Sequence, residues 1–338
     1  MNSLPEPRPL AEREPVAADR FTTDIFDHYE PIVLRGQAAH WPAVAAAREG
    51  HEAIARYIAG FDTGRPVEVM VGAPTIEGRF FYRDDMRGFN FKREPASVTT
   101  LLRELVRLAA DPAAPALYAG AAAAGQHLPG WIEANAIGLP LAGTTPRVWI
   151  GNATHVSTHF DASPNLACVV AGERRFLLFP PDQIANLYIG PIDVTMAGQP
   201  SSMVDPYAPD LDRFPRFAEA MRHARVAVLR PGDAIFMPAL WWHNIRAFGP
   251  LNVLVNYWWD SDPRASPMGV LAHALLAIRD LPPGERAAWR GWFDHYIFGD
   301  AAPAAVDHVP EHARGVLGPA NPARDDRLRT FLKNVLPG

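Results

Sequence analysis

The sequence predicts a mainly β protein, a sandwich or barrel carrying extra helices at both ends. Three features predict it. Short β-rich runs crowd the stretch from Arg147 to Trp259, Gly- and Pro-containing segments separate them, and helical periodicity dominates before and after. The runs are Val148–Ile150, Leu166–Val170, Phe176–Phe179, Val226–Leu229, Ile235–Met237 and Val253–Trp258. Turn chemistry at Ala171-Gly172-Glu173-Arg174 and Pro231-Gly232-Asp233 is expected to divide several of them.

Residues 1–20 are rich in Pro, Glu, Arg and Ala without periodicity, which predicts a mobile tail. A β domain with N-terminal helical elements is expected over 21–262. Within it Pro31–Leu34 and Val67–Val71 read as strands. A helix is expected over His40–Gly60, with Trp41, Val44, Ala47, Ile54, Ala55 and Ile58 on one stripe. Ser97 can cap a further helix carrying Leu101, Leu102, Leu105 and Leu108. Residues 182–224 read as a Pro-containing insertion with a helix over Asp210–His223. Residues 263–338 form a helical region. Its segment Arg286–Phe298 holds Trp289, Trp292, Phe293, Tyr296 and Ile297, more large apolar side chains than a helix facing water can hide, and predicts docking on the barrel or a homodimer.

Composition bounds the function. The chain has 338 residues, 48% hydrophobic and 20% charged, with a net charge of −5. No basic face for nucleic acid is expected from this balance. The single cysteine, Cys168, lies in an apolar run and excludes an internal disulfide or a cysteine-based zinc site. No stretch approaches the roughly 18 apolar residues of a membrane span, and the first residues lack a secretory pattern, so a cytoplasmic location is the default.

The chemistry-bearing pattern is Thr158-His159-Phe160-Asp161. On a strand, residues i and i+2 share a face, so His159 and Asp161 project together and Phe160 away from them. Such a triplet arises often by chance, and a surface His bonded to a nearby Asp explains it equally well. His243, following two indoles in Trp241-Trp242-His243, changes the weighing. Two imidazoles and one carboxylate make the facial triad of a non-haem Fe(II) oxygenase the natural reading, although a core histidine satisfied by a carbonyl is the plain alternative.

The stretches VWIGNATHVSTHFDASPNLACVVAGERRFLLFPPDQ, LRPGDAIFMPALWWHNI and LVNYWW resemble the JmjC and cupin-like oxygenases that use Fe(II) and 2-oxoglutarate. The likeness is strongest to the subgroup with the asparaginyl hydroxylase that inhibits hypoxia-inducible factor. HYEPIVLRGQAAHWPA extends it to about residues 25–300. The insertion is more like bacterial cupin-like members. The resemblance implies a double-stranded β-helix, or jelly roll, and the metal ligands His159, Asp161 and His243. It further implies cosubstrate contacts from Tyr118, Asn165, Arg174 and Asn256. Trp258, on one strand face with Asn252 and Asn256, either meets substrate or packs in the core.

Two positions depart from the family pattern. Arg174 stands where a lysine usually pairs with the far carboxylate of 2-oxoglutarate; a guanidinium keeps the charge match but has a longer, planar head. Periodicity does not choose between Arg174 and Arg175. Val156 replaces a threonine, for which Ser157 or Thr154 could substitute; His155 and His40 are expected to be unrelated to the metal. The implied reaction consumes O2 and 2-oxoglutarate, releases succinate and CO2, and hydroxylates a protein or peptide side chain. A small-molecule oxygenase and a non-catalytic metal- or sugar-binding cupin are the competing readings. A histone demethylase fits less well, because no zinc finger or basic reader accompanies the core.

Overall fold

A computed structural model describes residues 4–141, 143–259 and 266–335. The chain divides into two compact units, Met1–Ser261 and Asp262–Gly338. Within the first unit the strands up to residue 123 are β1 (Arg8–Pro9), β2 (Glu12–Arg13), β3 (Ile32–Leu34), β4 (Val67–Gly72), β5 (Arg79–Phe80), β6 (Phe91–Ala96) and β7 (Ala116–Ala123). They are followed by β8 (Arg147–Gly151), β9 (His155–His159), β10 (Asn165–Phe179), β11 (Arg225–Leu229), β12 (Ala234–Met237) and β13 (Trp242–Trp258).

The organising elements are β10 and β13, which pair antiparallel from Asn165 opposite Trp258 to Phe179 opposite Trp242. Their neighbours change midway. The first half of β10 lies against β12, while its second half lies against β11. The second half of β13 lies against β8, and its first half against β9. Two half-sheets therefore share two long strands, the jelly-roll arrangement. One half continues through β8, β7, β4 and β6, and the other through β9 and β5.

The change of half-sheet occurs at register shifts between Val169 and Ala171 and between Ala171 and Glu173. Before the shift Ala167 and Val169 belong to the core between the half-sheets, while Leu166, Cys168 and Val170 belong to the core beneath the helices. After it the even-numbered Phe176 and Leu178 join the inner core. The irregularity thus reverses which parity of residue points inward. Gly172 makes it possible, with φ +77°, and a Cβ there would sit 2.1 Å from Oδ1 of the fully buried Asn252. The turn expected at 171–174 is consequently a bulge within a continuous strand.

Helices cover the outer face of the larger half-sheet. Helix Val98–Arg107 is capped by Ser97, whose Oγ accepts from Thr100 N at 3.1 Å, and it buries Val98, Leu101, Leu102 and Leu105. The stripe expected over 40–60 is present, but on two helices, Pro42–Glu49 and His51–Ala59. Gly50 breaks them at φ +133°, a conformation outside the helical range. Trp41, Ile54, Ile58 and Trp131 are fully buried there. Cys168 lies in the same core with its thiol pushed up by burial, as an inert thiol should be.

Two further expectations need correction. Residues 8–13 are not a structureless tail: β1 pairs with β11, β2 pairs with β3, and Leu10 is buried between them. Phe21 and Ile25 are buried as well, at the start of the domain expected from residue 21. The helix expected from Asp210 starts only at Phe217, since Pro215 bars helical geometry at the residue before it.

In the second unit, helices Pro267–Ala277 and Pro283–Phe293 contain no buried residue, and Trp292, Ile297 and Phe298 are exposed. No described helix is long and apolar enough to cross a membrane.

Replacing Gly172 by Ala forces a left-handed conformation on an L-residue and drives its methyl into Asn252. The expected cost is about 2–5 kcal/mol, read as a lower urea midpoint at unchanged slope; an unaltered midpoint would dismiss the steric account.

Candidate metal centre

β9 and β13 run antiparallel with His159 directly opposite His243. Their rings lie 4.4 Å apart between centroids. Asp161 follows the end of β9, and its carbonyl accepts from Leu240 N at 2.8 Å, fixing the chain as it leaves the strand. The three residues offer ligand atoms that all lie within 4.8 Å of one another. Phe160 packs edge-on against Trp242, as its alternate position on the chain requires.

Each imidazole is oriented by a carbonyl. His159 Nδ1 lies 2.9 Å from Ser157 O, and His243 Nδ1 lies 3.0 Å from Trp241 O. A carbonyl only accepts, so Nδ1 is the donor in both rings, which leaves Nε2 as the nitrogen available to a metal. Burial, with the neighbouring His159 ring, pushes His243 down to about 4, so it is neutral at ordinary pH. Two imidazoles and a carboxylate form the donor set of a facial Fe(II) site.

The carboxylate is held by a chain of side-chain bonds. Asp161 Oδ2 accepts from Asn165 Nδ2 at 2.8 Å and from Trp258 Nε1 at 3.0 Å. Asn165 Oδ1 accepts from Asn256 Nδ2 at 3.2 Å, and Asn256 Oδ1 accepts from Trp149 Nε1 at 2.6 Å. Trp149 is itself clamped, stacked on Tyr118 at 6.0 Å and edge-on to Trp258 at 5.7 Å. Gly120 leaves room for its ring; a Cβ there would lie 2.9 Å from it.

These residues line one cavity, together with Arg174 and Tyr118. Arg174 is 1% exposed, and burial lowers its pKa while the adjoining Tyr118 hydroxyl, hydrogen-bonded to it, opposes the shift. Its Nε and Nη2 are buried without a hydrogen-bond partner. Arg175 faces the other side, its guanidinium 5.7 Å from the Tyr207 ring. Val156 and Ser157 line the cavity, whereas Thr154 does not.

Residues 190–201 close the remaining side. Tyr82 Oη donates to Val194 O at 2.5 Å, the Arg93 guanidinium donates to Met196 O, and Ser202 N donates to Thr158 O at 2.8 Å. Met196, Ala197, Gln199 and Ser201 from this segment face the cavity, opposite Met70 and Phe80. Sequence reasoning did not single out these positions, nor Trp149. Their only signal was alternation, since Trp149 sits between the core residues Val148 and Ile150 and must face the other way.

A family model described as a cupin-like domain matches residues 18–265. The chain belongs to that family. Jumonji C domain-containing protein 5 of Drosophila melanogaster is 25% identical over 247 residues, which cover 72% of this chain and 57% of that protein. tRNA wybutosine-synthesizing protein 5 of Danio rerio is 37% identical over 146 residues, 38% of this chain and 42% of the relative. Lysine-specific demethylase JMJ31 of Arabidopsis thaliana is 34% identical over 115 residues, 34% of this chain and 20% of the relative. The chain thus spans less than three fifths of the length of these relatives.

His155 and His40 lie apart from the cupin-like metal centre. His40 Nε2 is 3.0 Å from Ala136 O. His155 is buried outside the cavity, edge-on to Tyr207 at 5.1 Å, its Nε2 accepting from Asn244 Nδ2 at 3.0 Å. Burial first, then the charges of Arg79 and Arg246, push it down to about 4 against the opposing pull of Asp205. A depressed imidazole favours the neutral fold, so its contribution is complete above the unfolded value near 6.5 and is lost as pH falls toward 4. Between pH 7 and 4 the protein should lose on the order of 3 kcal/mol that a His155→Gln variant does not lose. Parallel denaturation curves of the two proteins across that range would contradict this.

Proposed function

We propose that this chain is an Fe(II)- and 2-oxoglutarate-dependent oxygenase that hydroxylates a neutral side chain of a protein or peptide. One observation carries the reading. The His159–Asp161–His243 cluster and a buried guanidinium with two unpartnered nitrogens line the same cavity. A 2-oxoacid with a second carboxylate suits both ends, chelating through its keto-acid head and meeting Arg174 through its tail. The three ligands would hold Fe(II) on one face. With 2-oxoglutarate and O2 the metal supplies oxidative decarboxylation coupled to insertion of oxygen into a C–H bond.

The chain's own residues do the rest. Arg174 and Tyr118 would bind the far carboxylate, Arg174 being already desolvated by folding. Asn165 and Asn256, on the wall between the metal ligands and Trp149, would contact the cosubstrate from one side. Met70, Phe80, Met196 and Trp258 exclude water from the reacting centre. Family membership supports the chemistry, as do relatives named a lysine demethylase and a wybutosine-synthesizing protein.

The lining favours hydroxylation over removal of methyl groups from an ammonium. Asp161 and Arg174 are the carboxylate and the guanidinium among the lining residues, and both are committed. Arg147 lies 5.8 Å from the Trp258 ring, so this indole already has a cation beside it. A cationic substrate group would lose its hydration without a counter-charge.

Asp161→Ala should abolish both the weak visible band formed by Fe(II) and 2-oxoglutarate under anaerobic conditions and substrate-stimulated succinate release. Arg174→Ala should raise the KM for 2-oxoglutarate by about 10- to 100-fold, with Arg174→Lys between it and the native protein. Absence of the band in the native protein would turn the reading to a non-catalytic metal- or sugar-binding cupin. Oxygen additions mapped by mass spectrometry in a treated lysate separate protein from small-molecule substrates.

For residues 262–338 we propose self-association through the exposed aromatic segment Trp289–Phe298. Sedimentation should give a dimer at micromolar concentration; a stable monomer would end this reading.

A further inference from the structure

We propose that Trp149 is a positioning residue which sets the orientation of the Asp161 carboxylate from three side chains away. The inference rests on the metal site assigned above. An indole N–H only donates, and Trp149 Nε1 donates to Asn256 Oδ1 at 2.6 Å. That contact fixes which end of the Asn256 amide faces the indole, and leaves Nδ2 to donate to Asn165 Oδ1 at 3.2 Å. Asn165 is fixed in turn and must present Nδ2, not its oxygen, to Asp161 Oδ2 at 2.8 Å. Every bond in the relay points the same way, because it begins at a group that only donates and ends at a carboxylate that only accepts.

Trp258 Nε1, a second donor-only group, meets the same oxygen at 3.0 Å. Two donors meet Oδ2, which also lies 3.7 Å from His243 Nε2, so together they fix how the carboxylate is turned toward the imidazoles. Asn165 and Asn256 are 5% and 1% exposed, so water has little part in orienting either amide. With the indole donor removed, the buried Asn256 Oδ1 loses its partner and that amide is free to turn away from Asn165, which loosens the hold on the carboxylate. The packing of Trp149 between Tyr118, Trp258 and Gly120 holds the donor direction constant.

The test is anaerobic Co(II) titration without 2-oxoglutarate, followed by the visible bands of the bound ion, in native protein, Trp149→Phe, Asn256→Asp and Asn165→Leu. Phenylalanine keeps a ring between Tyr118 and Trp258 but donates no hydrogen bond. It should weaken Co(II) binding by about tenfold and shift the bands, within the range contributed by hydrogen-bonding partners of metal ligands. Asn256→Asp, which accepts from Trp149 but cannot donate onward, should act in the same direction. In the Asn165→Leu background, Trp149→Phe should have no further effect, because the relay is already cut.

An additive loss in the double variant would mean that Trp149 acts through packing, and would overturn the proposal. So would native Co(II) affinity and spectrum in Trp149→Phe, even if its KM for 2-oxoglutarate rose. Failure of the native protein to bind Co(II) would instead remove the metal site itself, a distinguishable result.

Discussion

The antiparallel ladder between β10 and β13 is the constraint from which the site follows. It sets Asn165 opposite Trp258, Ala167 opposite Asn256 and Leu178 opposite His243. His243 and Arg174 are thereby separated by four residues of strand, about 13 Å along the sheet. The separation is fixed by backbone hydrogen bonds and not by loop conformation. β9 then brings His159 across from His243, and β8 brings Trp149 within reach of Asn256. Seven functional side chains thus inherit their places from strand registers buried in two hydrophobic cores.

Charge is handled differently at the two ends of the cavity. Near the ligands, the Trp149 indole and the amides of Asn256 and Asn165 each find a directed partner, in a chain that ends on Asp161 Oδ2. Such a network is rigid because any one reversal leaves a buried donor or acceptor unmatched. At Arg174 the opposite holds: Tyr118 meets one part of the guanidinium, and two nitrogens have no partner. Folding has stripped this cation of water before any anion arrives, so a carboxylate binds without that desolvation still to be met.

Much of this was readable from the residues. His159 and Asp161 obey two-residue strand spacing, and His243 follows two indoles just beyond the Ile235–Met237 run. The family resemblance joined them. Arg174 could not be separated from Arg175 by alternation, because the bulge reverses inward parity between Val169 and Phe176. Trp149 was unreadable for another reason. Its partner Asn256 lies far along the chain, and only the β8–β13 register makes them neighbours. Strands β1 and β2 escaped notice because each is two exposed residues long, with no pattern to detect; their stability comes from pairing with β11 and β3.

The bulge around Gly172 also bears on how this scaffold can vary. An added or lost residue in the partly exposed stretch 208–216 changes only the length of a connection between β10 and β11. The same event between Val169 and Arg174 would act as a frameshift in space, turning Arg175 inward and Arg174 out. Because the neighbouring residue is also an arginine, the cation would survive, but Phe176 and Leu178 would leave the core with it. A change of length within β10 would therefore cost the core its Phe176 and Leu178, and the tandem arginines give no insurance against that.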